Sequence, residues 1–193
     1  NILTYDKAFG KHSFNVMAGT SGTTSKWSES YQTVSHFMNS EIKTLNAGNK
    51  VSQGNGTRAA DWSIMSYLGR VAYNYDSKYL FTANFRSDGS SKLSPAKRWG
   101  YFPSFSAAWR ISSEEFMKDI TWIDDLKLRG GWGQTGNQSG ISDYAYLQRY
   151  NITRQNWWET GKENAMVILS PANMKNQDLT WETTTQSNIG VDL

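Results

Sequence analysis

The fold is decided by residues 67–86, which read YLGRVAYNYDSKYLFTANFR. Every aromatic ring in this stretch stands at an odd-numbered position, whereas the two arginines, Arg70 and Arg86, stand at even-numbered positions. Successive side chains of a β-strand point to opposite faces, so the alternation predicts two strands with one ring-bearing face and one arginine-bearing face. Residues 76–78, Asp-Ser-Lys, predict a tight turn between them and therefore a hairpin.

The same alternation recurs downstream. Phe105 and Trp109 stand at odd-numbered positions and Arg110 at an even-numbered one, whereas Leu128 and Trp132 stand at even-numbered positions and Arg129 at an odd-numbered one, so in each strand the arginine is on the other face. Helical periodicity is scarce, and clusters of Gly, Asn, Asp and Ser separate short alternating segments, which indicates an all-β protein. The predicted strands are residues 1–6, 13–20, 63–75, 79–87, 100–111, 126–134 and 181–193.

The connections between these strands alternate in length. Residues 7–12 and 76–78 are short, residues 112–125 are intermediate, and residues 21–62, 88–99 and 135–180 are long and polar. Transmembrane β-barrels have short turns on one side and long loops on the other, and most of the predicted strands approach the 9–11 residues needed to cross a bilayer. We therefore predict a partial up-and-down antiparallel transmembrane β-barrel of about seven strands with long extracellular loops. One short amphipathic helix is predicted within the first long loop, from Phe37, Met38, Glu41, Ile42 and Leu45.

Alternation alone does not separate this fold from a water-soluble β-sandwich, in which the apolar face would be an ordinary core. In a membrane barrel the rings would lie near the lipid headgroups, and this prediction applies to Tyr67, Tyr73, Tyr75, Tyr79, Trp109 and Trp132. The opposite face would line the lumen or contact a plug, through Arg70, Arg86, Arg110 and Arg129. Trp99, Trp157 and Trp158, with Tyr101 and Phe102, are candidate substrate or partner contacts in the outer loops.

Composition excludes several classes of function. The 193 residues carry 20 Lys and Arg against 17 Asp and Glu, and a net charge of +3 gives no basis for nucleic-acid binding. Cysteine is absent and there are only two histidines, so we expect no metal site, no cofactor and no cysteine nucleophile. The sequence contains no run of 18 apolar residues, so it predicts no transmembrane helix. Its polar start at Asn1 does not resemble a signal peptide. The alternating, unterminated last residues suggest a piece cut within strands.

The remaining motifs support no catalytic site. Residues 131–136 spell G-x-G-x-x-G but are not followed by a helix that could receive a phosphate, so we interpret them as a strand entering a loop. The acid pairs Glu114-Glu115 and Asp124-Asp125 are expected in a solvated turn, and His12 and His36 are expected to be ordinary polar positions. The protein is therefore not expected to be an enzyme.

Six segments resemble the SusC/RagA family of TonB-dependent outer-membrane transporters. They are residues 9–12 with the following strand, 79–91, 98–104, 107–112, 126–138 and 179–192, in family order, whereas residues 21–62 and 139–178 match only loosely. The resemblance implies a 22-stranded barrel with an N-terminal plug, a SusD-like surface lipoprotein partner, energy from TonB, and import of oligosaccharides or peptides across the outer membrane of Bacteroidota-type bacteria.

On this resemblance, residues 1–193 form part of one barrel domain, and the plug and the barrel closure lie outside this chain. Two other classes stay open from the residues alone: a soluble all-β carbohydrate-binding module and, less favoured, a secreted glycosidase fragment, whose two carboxylates could not be assigned.

Overall fold

The computed structural model describes residues 1–42, 44–120, 122–159 and 162–193, with the backbone alone for residues 154–159 and 162–166. It divides into two compact units, Asn1–Thr23 with Ser63–Leu193, and Thr24–Trp62. Of the helical segments in these ranges, none has the length and apolar character required to cross a membrane.

Seven strands form one antiparallel sheet in the order β1-β2-β3-β4-β5-β6-β9. Their bounds are β1 Ile2–Phe9, β2 His12–Thr33, β3 Gly54–Tyr75, β4 Tyr79–Ser90, β5 Trp99–Arg110, β6 Lys127–Asn137 and β9 Glu182–Asp192. All seven predicted strands are confirmed. From β1 to β6, each strand pairs with the next strand along the chain, and β6 also pairs with β9. The sheet is open, with β1 and β9 at its edges.

Two further strands, β7 Tyr150–Glu159 and β8 Lys162–Pro171, pair as a separate two-stranded sheet within the long connection between β6 and β9. We expected this connection to be a loop. The hairpin was missed because its residues lack the clean apolar alternation of the wall strands.

The predicted helix in the first long loop is wrong. Residues 45–47 and 50–52 form short 3₁₀ turns, and Met38 and Ile42 are exposed. β2 and β3 are each 22 residues long, so they take in much of what the sequence assigned to this loop. Polar residues such as Ser and Thr, which dominate residues 20–33, form these strand extensions without the apolar alternation by which a buried strand is identified.

The turns at one end of the sheet are tight and joined to one another. Gly10 has φ +56°, a conformation that favours glycine, and it closes the β1–β2 hairpin. The Asp76 N–H donates to the Lys11 carbonyl at 2.7 Å, and the Arg110 N–H donates to the Lys78 carbonyl at 2.7 Å. These bonds fix the ends of neighbouring hairpins, which we call the turn end; the opposite end is the loop end.

Candidate functional site

The strand register separates the two predicted faces across the whole sheet. Tyr73 stands opposite Phe81, Phe81 opposite Ala107, and Ala107 opposite Gly130, so the ring-bearing residues of four strands share one face. On the other side, Arg70 stands opposite Asn84 and Arg129 opposite Ala108. All six aromatic residues predicted for the lipid boundary therefore lie on the ring-bearing face, and all four predicted arginines lie on the arginine-bearing face.

The rings at the turn end form a continuous series. The Phe14 and Tyr73 ring centroids are 4.8 Å apart, those of Tyr75 and Tyr79 are 6.3 Å apart, and those of Tyr79 and Trp109 are 6.4 Å apart and nearly parallel. This series is the turn-end band. Offset ring contacts of this kind stabilise the sheet beyond the area that they cover.

Glu114 lies beside this band, and the expectation of a solvated acid pair is wrong for it. Its carboxylate accepts hydrogen bonds from the Tyr79 hydroxyl at 2.7 Å, the Trp109 Nε1–H at 3.1 Å and the Lys78 ammonium at 3.0 Å. The Tyr79 bond, then the Trp109 bond and then the Lys78 bond lower the pKa of Glu114 to about 2. The polar atoms of two predicted boundary rings are thus satisfied within the protein. The neighbouring Glu115 is solvent-exposed, as expected.

A second set of rings lies toward the loop end. Trp99 stacks on Tyr67 at 5.7 Å and Tyr101 on Phe85 at 6.2 Å, whereas Trp132 stacks on Phe105 at 6.1 Å near the middle of the strands, at the level of Ala83. We call the first two pairs the loop-end band. Trp99 was assigned to a loop, but it begins β5 on the ring-bearing face. The side chains of Trp157 and Trp158 lie outside the described part of the chain, although their backbone belongs to β7.

The ring-bearing face is uncovered. Within the described residues, the buried apolar side chains are Leu93, Phe102 and Met117, whereas Phe81, Phe105 and Ile189 on this face are at least two-fifths exposed. A water-soluble domain of this size buries a large apolar core. The described strands do not form the second layer that a sandwich would need on this face, so the sandwich alternative lacks its core.

The arginine-bearing face is polar and partly paired. Arg86 contacts the Asp88 carboxylate at 2.7 Å, Arg110 lies 3.5 Å from Asp125, and Arg129 lies 3.1 Å from Asp192. Arg70, by contrast, has no ion pair within the described ranges. Between these charges lies a trough of about 560 Å³ with a mixed lining, which includes the polar residues Ser104, Ser106 and Asn188 as well as Leu80 and Ala108.

A buried network holds the loop end together. The Ser90 hydroxyl donates to the Gln138 side-chain oxygen, Lys92 Nζ lies 3.2 Å from Asp143, and the Ser94 hydroxyl donates to the Gln177 carbonyl at 2.7 Å. Leu93 and Phe102 are 0% and 5% exposed at its centre. Gly136 lies against the Phe102 ring so closely that a Cβ at this position would overlap it. The network ties the β4–β5 connection to both ends of the β6–β9 connection.

Three residues for which the sequence predicted no role contribute to these sites. His12 lies among the turn-end rings, with Nδ1 2.9 Å from the Tyr73 hydroxyl, rather than in an ordinary polar turn. Trp181 donates from Nε1 to the Arg98 carbonyl at 2.8 Å and packs edge-on against Phe102. Glu114 is the third. Each depends on a contact between residues far apart in sequence, which no local motif reveals.

Among the described residues, no group of three or more His, Cys, Asp or Glu side chains is placed to hold a metal ion. The G-x-G-x-x-G residues 131–136 lie inside β6, which agrees with their interpretation as a strand.

Known proteins resemble this chain over all or most of its length. No protein-family model matches it. It is 36% identical to TonB-dependent receptor P39 of Formosa agariphila, in an alignment that covers all of this chain and 18% of that protein. It is 39% identical to TonB-dependent receptor SusC of Bacteroides thetaiotaomicron, in an alignment that covers 67% of this chain and 13% of that protein. Among solved structures, 98% of the chain superposes on 20% of a chain of the RagAB peptide transporter, with a TM-score of 0.78 and 25% identity. The same share superposes on 20% of a chain of the RagAB peptide importer in its closed-closed state, with a TM-score of 0.80 and 23% identity. The chain thus spans about a fifth of the length of the proteins that it matches.

Proposed function

Because this chain belongs to the SusC/RagA-like TonB-dependent receptors, we propose that it forms a section of the wall of an outer-membrane importer. All 193 residues would belong to one barrel domain, with β1 and β9 continued by strands of the same barrel. The ring-bearing face would contact lipid, and the arginine-bearing face would line the lumen or contact a plug. The wall itself would have no catalytic role.

The observation that carries this proposal is the uncovered ring-bearing face. Lipid stabilises exposed apolar side chains that water would not, and aromatic residues at the two interfaces contact the headgroups. Trp99 and Trp109 lie in the loop-end and turn-end bands of the same strand. A strand rises about 3.3 Å per residue, so they lie about 33 Å apart along it. At the usual tilt of about 35–45°, this corresponds to about 23–27 Å along the membrane normal, close to the apolar band of about 25 Å in such barrels.

The imported solute would be an oligosaccharide or a peptide. RagAB is described as a peptide importer, and the chain resembles both its barrel and SusC. A SusD-like surface lipoprotein would cover the loop end, and TonB would act on parts of the protein that are not in this chain. The serines and Asn188 of the trough, and Arg70, which has no ion pair among the described residues, suit a wet lumen, whichever of the two solutes passes through it.

Fractionation tests the location. The complete protein, produced in its own host, is expected in the outer-membrane fraction and should migrate faster on gels when unheated than when boiled. Recovery as a soluble monomer would contradict the proposal.

Site-directed spin labelling tests which way each face points. A nitroxide attached at Val71→Cys should be accessible to oxygen dissolved in lipid, whereas a nitroxide at the adjacent Ala72→Cys should be accessible to a water-soluble nickel reagent. The two residues differ by one position in β3 and so control for depth and for local packing. Equal accessibility at both positions, or the reverse pattern, would refute the assignment of faces.

A further inference from the structure

The β4–β5 connection, residues 91–98, is a basic segment held in place by buried contacts. It contains Lys92, Lys97 and Arg98 and no acid. The Lys92 ammonium is neutralised by Asp143 and also donates to the Ile141 carbonyl at 3.0 Å. Lys97 is exposed and Arg98 is half-buried. Neither Lys97 nor Arg98 forms an ion pair with the residues that the structure describes.

The backbone places Arg98 on the arginine-bearing face. The Ser90 N–H donates to the Arg98 carbonyl at 3.1 Å, which continues the β4–β5 ladder one step beyond the Gly89–Trp99 pair. Residues opposite each other in a ladder share a face, so the Arg98 side chain lies on the face of Ser90, away from the ring of Trp99. The Trp181 Nε1–H donates to the same carbonyl at 2.8 Å, so the main chain at Arg98 is fixed by two bonds.

The Arg98 guanidinium has no acidic partner in the part of the chain that the structure describes, and its Nε is buried without a hydrogen-bond acceptor. Of the acids toward the loop end, Asp88 is paired with Arg86 and Asp143 with Lys92. A buried donor without an acceptor is unfavourable, and a charged donor more so. Such a group is satisfied when an anionic acceptor reaches it.

We propose that Arg98 binds a carboxylate group of the imported solute at the loop end of the lumen. A guanidinium offers a planar pair of donors that matches a carboxylate, and the fixed main chain orients it before the ligand arrives. The inference rests on the proposed import function and narrows its solute class to carboxylate-bearing molecules. The carboxylate could belong to a uronate sugar or to a peptide, and the experiment distinguishes these sources.

The test measures binding to the complete protein purified in detergent, by calorimetry. One pair of probes is a galacturonate trimer and its neutral methyl ester; the other is an alanine hexapeptide with a free C-terminal carboxylate and its C-terminal amide. We expect at least one carboxylate probe to bind about tenfold or more tightly than its neutral counterpart. Arg98→Gln should remove this preference and leave the neutral probe unchanged, Arg98→Lys should retain part of it, and Arg149→Gln, at an exposed arginine, should have no effect.

Three results would overturn the inference. The wild-type protein could show no preference for either carboxylate, which is also the outcome if another part of the same polypeptide occupies Arg98. Arg98→Gln could weaken the carboxylate and neutral probes equally, which would assign Arg98 a structural role. Arg98→Lys could retain the whole preference, which would assign it to charge without guanidinium geometry. Outer-membrane location and uptake of a neutral solute would survive each result, so failure here is distinguishable from failure of the proposed function.

Discussion

The two faces of the sheet should respond oppositely to a charge placed at the same depth. Ala83 and Thr82 are adjacent in β4, on the ring-bearing face and the arginine-bearing face respectively. Tyr79 lies in the turn-end band, and Gly89 is paired with Trp99 in the loop-end band, so Ala83 lies within about one residue of the midpoint. An arginine at the bilayer midplane on the lipid face of a barrel costs about 2–4 kcal/mol, whereas lumenal substitutions are tolerated.

We therefore expect Ala83→Arg to lower the free energy of unfolding of the complete barrel in lipid vesicles by about 2–4 kcal/mol, or roughly 30- to 1,000-fold in the folding equilibrium. Thr82→Arg should change it by less than about 1 kcal/mol, because the new guanidinium would be solvated in the lumen. Urea titrations scored by heat-modifiable mobility measure both values. Equal destabilisation by the two variants, or a larger effect at Thr82, would refute the assignment of the ring-bearing face to lipid.

Three further variants test the contacts at the two ends of the sheet. Gly136→Ala should destabilise the loop end by about 1–3 kcal/mol in urea titrations, because the added Cβ overlaps a buried phenylalanine ring, whereas Gly140→Ala, with open space around it, should be close to neutral. Leu93→Ala should cost about 2–5 kcal/mol by the same measurement, and a cost below 1 kcal/mol would show that the loop-end network is not packed in solution. The pKa of Glu114 is lowered, so its bonds stabilise the fold above about pH 4.5 and lose this effect as pH falls toward about 2. Glu114→Gln should therefore lower the melting temperature at pH 6 and converge with wild type near pH 2, whereas the exposed Glu115→Gln should match wild type throughout.

The strands of the wall could be predicted from sequence because the residue patterns that define them lie within short stretches of the chain. The alternation in residues 67–86 fixes the faces of β3 and β4, and the turn at residues 76–78 fixes their register. β6 follows from the same rule, even though its glycines imitate a nucleotide-binding motif.

The connections could not be predicted in the same way, because their structure depends on contacts between distant residues. Ser94 reaches the Gln177 carbonyl, and Trp181 reaches Arg98, across some 80 positions of sequence. The β7–β8 hairpin has a sequence of polar and mixed residues without the clean apolar alternation of the wall strands. Glu114 looks like a solvated turn acid until the rings of β4 and β5 are placed beside it.

The pairing of β6 with β9 has a consequence for how this part of the polypeptide folds. Consecutive hairpins such as β3–β4 close over a few residues, whereas β9 can join β6 only after residues 138–181 have formed a loop. Each doubling of loop length adds about 0.6 kcal/mol of closure entropy, so this step is disfavoured by about 2 kcal/mol relative to a three-residue turn. The β7–β8 hairpin shortens the effective loop, and its early formation would speed the docking of β9. The folding nucleus of this region should therefore lie in β3, β4 and β5, and β9 should be among the last strands to pair with the sheet.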